Sequence, residues 1–297
     1  MPRHGIPRLI VFDSGLGGLT VLRALREAVP EARVTYIADD AYFPYGALAD
    51  DALIARVDAV IGGAVAELAP DAVVIACNTA STIALPHLRA AHTLPFIGTV
   101  PAVKPAAMLS QSRLISVLGT PATVARDYTR ALIAAHGEGC DYMLVGATGL
   151  AAIAEAVMRG DAAPDEAIAA EIAPCFVEKD GRRTDVIVLG CTHYPLLIGR
   201  LEKLAPWPVT WLDPAPAIAR RTANVLAELG FVVGVGASRP RGEIRFTSGR
   251  TPPANLATLL DFCGLDSAPS DAPETAQRPH SSSSQILPSS QTLESPR

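Results

Sequence analysis

The chain has few aromatic residues, no basic excess and no apolar run long enough to cross a bilayer. Phe, Trp and Tyr make up 5% of its 297 residues while 49% are hydrophobic, so the core must be built mainly from Ala, Val, Leu and Ile, which suits helices packed on sheets. Its 25 Lys and Arg are outnumbered by 30 Asp and Glu, a formal charge of −5, and the basic footprint that a nucleic-acid partner needs is missing. The longest Ala/Val/Ile-rich stretch, within residues 51–68, is broken by Arg56, Asp58 and Glu67. It falls short of the roughly eighteen apolar residues of a span, so no membrane partner is expected. The start, Met1-Pro2-Arg3-His4-Gly5, is basic but is followed only by a short apolar stretch before Asp13. A secretory signal is therefore not expected, and the cytoplasm is.

Cysteine is also sparse. Cys77, Cys140, Cys175, Cys191 and Cys263 show neither metal nor disulfide spacing, and an odd count without an export signal reads as reduced thiols. Cys140, Cys175 and Cys263 have no polar signature around them and read as packing or surface residues. The other two close near copies of one segment: Asp71-Ala-Val-Val-Ile-Ala-Cys77-Asn78-Thr79 and Asp185-Val-Ile-Val-Leu-Gly-Cys191-Thr192-His193. A short Val/Ile-rich run reads as a buried parallel strand, so each thiol is expected at a strand's carboxyl end, where open α/β sheets place ligands. Two thiols in equivalent positions suggest two faces of one substrate, with a proton removed on one side and delivered on the other.

Further runs extend the duplication. Residues 9–12, 34–37, the Cys77 strand and 95–98 are answered in order by residues 114–118, 142–145, the Cys191 strand and 208–212. Ala- and Leu-rich stretches of helical spacing lie between them, such as 19–29 and 51–68. Alternating strand and helix signals predict βαβ units with mainly parallel sheets, an α/β fold in two similar halves. After Asp266 the composition turns to Ser, Pro, Gln and Thr, a stretch with too little apolar surface to offset its ordering entropy. Residues 267–297 are expected to be a disordered tail.

Five segments could carry chemistry. Asp13-Ser14-Gly15-Leu16-Gly17-Gly18 reads as a Gly-rich turn before a helix, either a tight βα connection or an anion-binding turn, and Asp13 could orient or accept a proton from a neighbouring thiol. Residues 39–46, ending Phe43-Pro44-Tyr45-Gly46, form a surface loop or line a ligand. Cys77-Asn78-Thr79 opens a helix, a setting expected to lower the thiol's pKa and supply thiolate near neutrality; the alternative is an inert buried Cys. In Cys191-Thr192-His193 the imidazole can stabilise the thiolate or relay its proton, whereas zinc lacks two further ligands at suitable spacing. Gly119-Thr120-Pro121-Ala122-Thr123 either holds a carboxylate or caps a helix.

Taken together, Asp13-Ser14-Gly-Leu-Gly-Gly-Leu, the Pro44-Tyr45-Gly46 loop, Cys77-Asn78-Thr79, Gly119-Thr120 with Thr123, and Cys191-Thr192-His193-Tyr-Pro-Leu-Leu resemble the glutamate racemases. The resemblance covers about residues 9–265 and includes Arg245-Phe246-Thr247-Ser248-Gly249. It implies two pseudo-symmetric α/β domains facing across a central cleft, expected as residues 1–99 with 209–266 and residues 100–208. It also implies no pyridoxal phosphate or other cofactor, no metal, and two cysteines that exchange the α-proton of glutamate, the small-molecule partner, to supply D-glutamate for peptidoglycan. By position, Cys77 and Cys191 are the two bases, Asp13 assists the first and His193 the second. Both assisting residues, with Ser14, Tyr45, Gly46, Asn78, Thr79, Thr123 and Thr192, would face the substrate's ammonium and carboxylates. A homodimer and regulation by a peptidoglycan precursor are compatible with the resemblance. Residues 99–105 depart from the family's acidic-Pro-Gly segment. Where the family has a supporting Glu after the strand ending near Val145, this chain has Gly146-Ala147-Thr148-Gly149, with Glu155 a loose candidate. The alternatives are a racemase for aspartate or another amino acid, a disulfide-forming redox protein, and a noncatalytic amino-acid-binding protein.

Overall fold

The computed structural model describes residues 5–137, 139–234 and 239–267; the expected tail lies outside the described residues except for Ser267. The first half follows the apolar runs: β1 (Arg8–Asp13), α1 (Leu19–Ala28), β2 (Arg33–Ala38), α2 (Asp50–Leu68), β3 (Ala72–Ile75), α3 (Asn78–Ile83), α4 (Leu85–Ala91) and β4 (Phe96–Gly98). The second comprises α5 (Val103–Leu109), β5 (Leu114–Gly119), α6 (Pro121–Ala125), α7 (Asp127–His136), β6 (Asp141–Gly146), α8 (Leu150–Met158) and α9 (Asp165–Ile172). It continues through a small hairpin of β7 (Glu178–Lys179) and β8 (Arg182–Arg183) to β9 (Val186–Gly190), α10 (Ile198–Leu204) and β10 (Thr210–Leu212). The chain then returns to the first half with α11 (Ala215–Glu228), β11 (Gly242–Phe246), α12 (Ala257–Phe262) and β12 (Leu265–Ser267).

Two sheets result. The first has six strands in the order β12-β11-β2-β1-β3-β4 and the second four in the order β10-β9-β5-β6, all pairings in both being parallel. The block β2-β1-β3-β4 repeats as β6-β5-β9-β10, position for position, which is the duplication expected from the paired apolar runs. Side-chain alternation along a strand sorts the core. Leu9 and Val11 pack under α1 and α11 on one face, while Ile10 and Phe12 meet α2, α3 and α4 on the other. In the second sheet Leu118, Ile187 and Leu189 face α8 and α9, and Ile115, Val117, Val186 and Val188 face α5. No helix among the described residues is long and apolar enough to cross a membrane.

One expected boundary moves. The division at 208/209 assigns residues 210–212 to the first half, but Thr210, Trp211 and Leu212 pair with Val186, Ile187 and Val188 of β9. The crossover through α10 returns the chain to the sheet it left, and the chain crosses back to the first half with α11, which packs on α1. The tail boundary shifts slightly too, since Ser267 pairs with Ile244 in β12.

Gly242 shows how closely the outer strands approach. A Cβ on this residue would overlap the backbone carbonyl of Val34 in β2, and backbone cannot swing aside as a side-chain tip can. Gly242→Ala is therefore expected to destabilise the protein by about 2 kcal/mol or more, read as a lowered urea midpoint.

Candidate active site

The carboxyl ends of both sheets meet at one small cavity of about 20 Å³, room for about one water and well below the roughly 300 Å³ of an open ligand site. It is lined by Ser14, Tyr45, Gly46, Cys77, Asn78, Thr79, Cys191, Thr192 and His193, together with Phe43, Pro44, Thr120 and Ala151. Asp13 is fully buried at the end of β1. It accepts hydrogen bonds from the Gly15 amide at 2.8 Å and, from the other half, the Thr192 hydroxyl at 2.9 Å. Burial raises its pKa above the ordinary carboxylate value, against the lowering effect of the His193 charge and of those hydrogen bonds, with Glu155 adding to the rise.

The Gly-rich turn does receive an anion, and it is internal. The Leu16 amide donates to Glu155 Oε2 at 2.9 Å. A side chain at Gly15 would come within 2.8 Å of that oxygen, and one at Gly17 would run into the His193 ring. These glycines make room for a buried pair contributed by the opposite half.

Cys77 caps α3, its sulfur accepting from the Ala80 amide at 3.5 Å and its thiol donating to Ser14 Oγ at 3.7 Å. The expectation that a helix start would lower its pKa does not hold. Burial, followed by the charge of Asp13, pushes the thiol up to about 12, and the Ala80 amide and Ser14 offset only part of this. Desolvation of a thiolate outweighs a few backbone dipoles when the site is dry, so Cys77 rests as a protonated thiol.

Beside it, Asn78 is 2% exposed, and neither its Oδ1 nor its Nδ2 has a hydrogen-bond partner. Two unpaired polar atoms on one buried side chain are uncommon and call for a partner. Thr79 Oγ1 reaches Thr120 Oγ1 across the cleft at 3.1 Å. Thr120 also caps α6, accepting from the Thr123 amide at 3.2 Å. Thr123, expected at the substrate, is fully buried behind Thr120, its hydroxyl 3.0 Å from Thr120 Oγ1; the cavity-lining hydroxyl is that of Thr120. Tyr45 is at the wall, but its hydroxyl donates to Asp39 Oδ2 at 2.5 Å. Arg56 and Thr247 also bind Asp39, and Ser248 binds Asp40. The segment at 245–249 thus serves by anchoring the loop that carries Tyr45 and Gly46.

Cys191 follows β9. Its sulfur is 3.8 Å from His193 Nδ1, and His193 Nε2 is 3.0 Å from Glu155 Oε2. Arg159 closes the chain by donating to Glu155 Oε1 at 2.8 Å, and Phe43 packs on the imidazole with ring centroids 5.3 Å apart. Burial works against a charged His193, but hydrogen bonds to Cys191 and Glu155 and the negative charges of Cys191 and Asp13 raise its pKa well above the ordinary value. Glu155 moves the other way: burial raises it, and the His193 hydrogen bond and charge, the Leu16 amide and Arg159 outweigh burial and bring it to about 2. Glu155 was only a loose candidate in the sequence, yet an acid inside Leu150-Ala-Ala-Ile-Ala-Glu155-Ala-Val-Met158 is the kind of buried polar group that needs a partner. The arrangement places a protonated thiol on one half and a thiol beside a protonated imidazole on the other, both lining one cavity.

Residues 18–222 match the Asp/Glu/Hydantoin racemase family. A glutamate racemase of Brucella canis is 57% identical over 219 residues, 73% of this chain and 79% of the relative. The Escherichia coli glutamate racemase, solved with L-glutamate and the activator UDP-MurNAc-Ala, superposes with a TM-score of 0.78 at 33% identity, covering 89% of this chain and 97% of its own. The chain belongs to the Asp/Glu/hydantoin racemase family. It is an isomerase of the amino-acid racemase class. A glutamate racemase isoform of Bacillus anthracis shares the fold, with a TM-score of 0.74 at 24% identity over 90% of this chain and 98% of its own.

The Glu155–His193 pair gives this racemase a defined pH signature. Glu155 titrates near 2 when folded against 4.5 ordinarily, so its contribution is complete above about 4.5 and is lost as pH falls through about 2, roughly 3 kcal/mol in all. His193, raised on folding, contributes fully below its ordinary value of 6.5 and loses that contribution as pH rises through its folded value. The pair is therefore at full strength between about 4.5 and 6.5. Glu155→Gln is expected to flatten the decline of unfolding free energy between pH 5 and 2.5, measured by urea denaturation at each pH.

Proposed function

We propose that the chain interconverts L- and D-glutamate by two-base proton transfer between Cys77 and Cys191, without an electron-sink cofactor, and so supplies D-glutamate for peptidoglycan. The observation that carries this reading is the meeting of two thiols in one cavity, each from the end of the corresponding strand of a duplicated sheet. The glutamate substrate is supported by the Brucella relative and by the L-glutamate complex of the Escherichia coli enzyme.

One sulfur, as thiolate, takes the α-hydrogen and becomes a thiol. The other, as thiol, gives its proton to the opposite face of the α-carbon and becomes a thiolate. The pair ends with its protonation states exchanged, and the reverse reaction begins from that state. An α-hydrogen is far less acidic than a thiol, so the negative charge developing on the substrate carboxylate must be stabilised by fixed donors in a water-poor site. The unpartnered Asn78 amide and the hydroxyls of Ser14, Thr79 and Thr120 are in place for that, as are the backbones of Tyr45 and Gly46, while the Thr192 hydroxyl donates to Asp13. For Cys77 to act as the base, a positive charge must offset its burial; the substrate ammonium, entering beside Asp13, supplies one. His193, held protonated by Glu155, serves Cys191 in the same way. The activator bound to the Escherichia coli enzyme supports a further part of the reading, control of this chain by a peptidoglycan precursor.

Cys77→Ala and Cys191→Ala should each lower racemisation by about 10²-fold or more without loss of the folded state. Proton NMR of L-glutamate in heavy water, with D-enantiomer assay and with L-aspartate as comparison, reads the activity directly. Near wild-type turnover in either variant would refute the two-base assignment. His193→Asn should change kcat and KM by different factors from the two enantiomers, while kcat/KM stays equal in both directions because the enantiomers are equal in free energy. Unchanged kcat and KM with a lowered melting temperature would instead make His193 structural.

A further inference from the structure

Phe43 lies in the loop between β2 and α2, yet it packs on the other half of the molecule. Its neighbours Tyr42 and Tyr45 join the apolar cluster under α2, whereas Phe43 reaches the cluster of the four-stranded half that contains Leu150, Cys191 and Leu197. There its ring meets the His193 imidazole, with centroids 5.3 Å apart and planes inclined by 41°. The imidazole is held at its two nitrogens, Nδ1 being 3.8 Å from the Cys191 sulfur and Nε2 3.0 Å from Glu155 Oε2. Two contacts in the plane of a ring leave it free to tilt about the line that joins them. A third contact, against the body of the ring, limits that tilt.

The segment that carries Phe43 is gripped by a buried ion pair. Asp39 is fully buried and accepts from Arg56 of α2 at 2.6 Å on Oδ1 and 3.0 Å on Oδ2. It also accepts from the Tyr45 hydroxyl at 2.5 Å and the Thr247 hydroxyl at 2.6 Å. The Arg56 guanidinium lies over the Tyr42 ring, 4.2 Å from its centroid. One ion pair thus holds the chain on both sides of Phe43-Pro44, at Tyr42 by stacking and at Tyr45 by a hydrogen bond. Buried ion pairs are poor sources of net stability, since apolar residues of similar volume often serve as well. Neither Asp39 nor Arg56 lines the cavity, so any effect of the pair on the site passes through the loop.

We propose that Phe43 is a positioning residue for Cys191, bracing the His193 ring on the line between that sulfur and Glu155, and that the Asp39–Arg56 pair fixes Phe43 in place. This rests on the two-base reading, in which His193 serves Cys191. The six-stranded half thereby sets the orientation of an imidazole that belongs to the four-stranded half.

Two variants test the proposal. Phe43→Leu removes the ring without touching the ion pair. Arg56→Lys keeps a positive charge opposite Asp39 but loses the planar fork and its flat face over Tyr42. Isotopically labelled histidine, with the His193 signals assigned by their absence from His193→Asn, reads the ring by NMR independently of turnover. The charged and titratable groups facing His193 are Cys191, Glu155 and Asp13, and neither variant alters them. Exchange of the Nε2 proton with water, at fixed pH and below the melting temperature, should accelerate by about tenfold in Phe43→Leu and change in the same direction in Arg56→Lys. Phe43→Tyr, which retains the ring, should keep the slow exchange. In Arg56→Lys kcat should fall about tenfold with KM within about twofold. Exchange at the wild-type rate in Phe43→Leu would overturn the proposal, and so would lowered melting temperatures with exchange and kcat unmoved. Fast exchange in Phe43→Leu with wild-type exchange in Arg56→Lys would overturn the role of the ion pair. Failure of the two-base reading has a different signature, a Cys191→Ala variant that still racemises, and the exchange rates decide the bracing of His193 in that case as well.

Discussion

A single carboxylate oxygen, Glu155 Oε2, accepts from the Leu16 amide at 2.9 Å and stands 3.0 Å from His193 Nε2. The first donor belongs to the six-stranded half and the second to the four-stranded half, so this atom joins the two sheets and orients the histidine beside Cys191. Both partners are removed from water, with side chains 3% exposed. A buried charge without compensation is strongly unfavourable, and a compensated one tolerates little displacement. The glycines at 15 and 17, the capping of Glu155 by Arg159 and the packing of Phe43 on the imidazole all follow from keeping this pair dry and aligned.

The fold is duplicated but the electrostatics are not. Cys77 faces Ser14 and the charge of Asp13, whereas Cys191 faces an imidazolium. The backbone explains the difference. Past β3 the chain turns straight into α3 and spends the amide of Ala80 on Cys77, while past β9 it makes a tighter turn that projects His193. A symmetric scaffold thus sets its two thiols in unlike surroundings, the asymmetry that the proposed two-base reaction would use.

The strands and both thiols were legible in the sequence because they depend on local pattern: a Val/Ile run sets a buried parallel strand, and a Cys at its end sits at the sheet's mouth. What was not legible depends on contacts between distant segments. The partner of β10 is set by the crossover through α10, and no property of residues 210–212 alone reveals it. Glu155 meets Leu16 across 139 positions of sequence, and its only local sign was an acid in an apolar helix. The pKa of Cys77 was misjudged because a helix start is visible in sequence and the depth of burial is not. Thr120 and Thr123 are equivalent hydroxyls in the chain, and only the cap geometry shows that Thr123 supports Thr120 from behind.

Closure of the cleft connects these features to catalysis. Contacts between the halves surround the cavity: Asp13 with Thr192, Thr79 with Thr120, Leu16 with Glu155, and an ion pair between Asp50 and Arg126. Burial raises the Cys77 thiol, and both polar atoms of the buried Asn78 side chain are without a hydrogen-bond partner. In the proposed reaction glutamate brings one ammonium and two carboxylates into that space, which would supply partners for Asn78 and a cation beside Cys77. The same burial that keeps Cys77 protonated would, in the proposed reaction, strengthen each charge that the substrate introduces and so couple substrate binding to activation of that thiol.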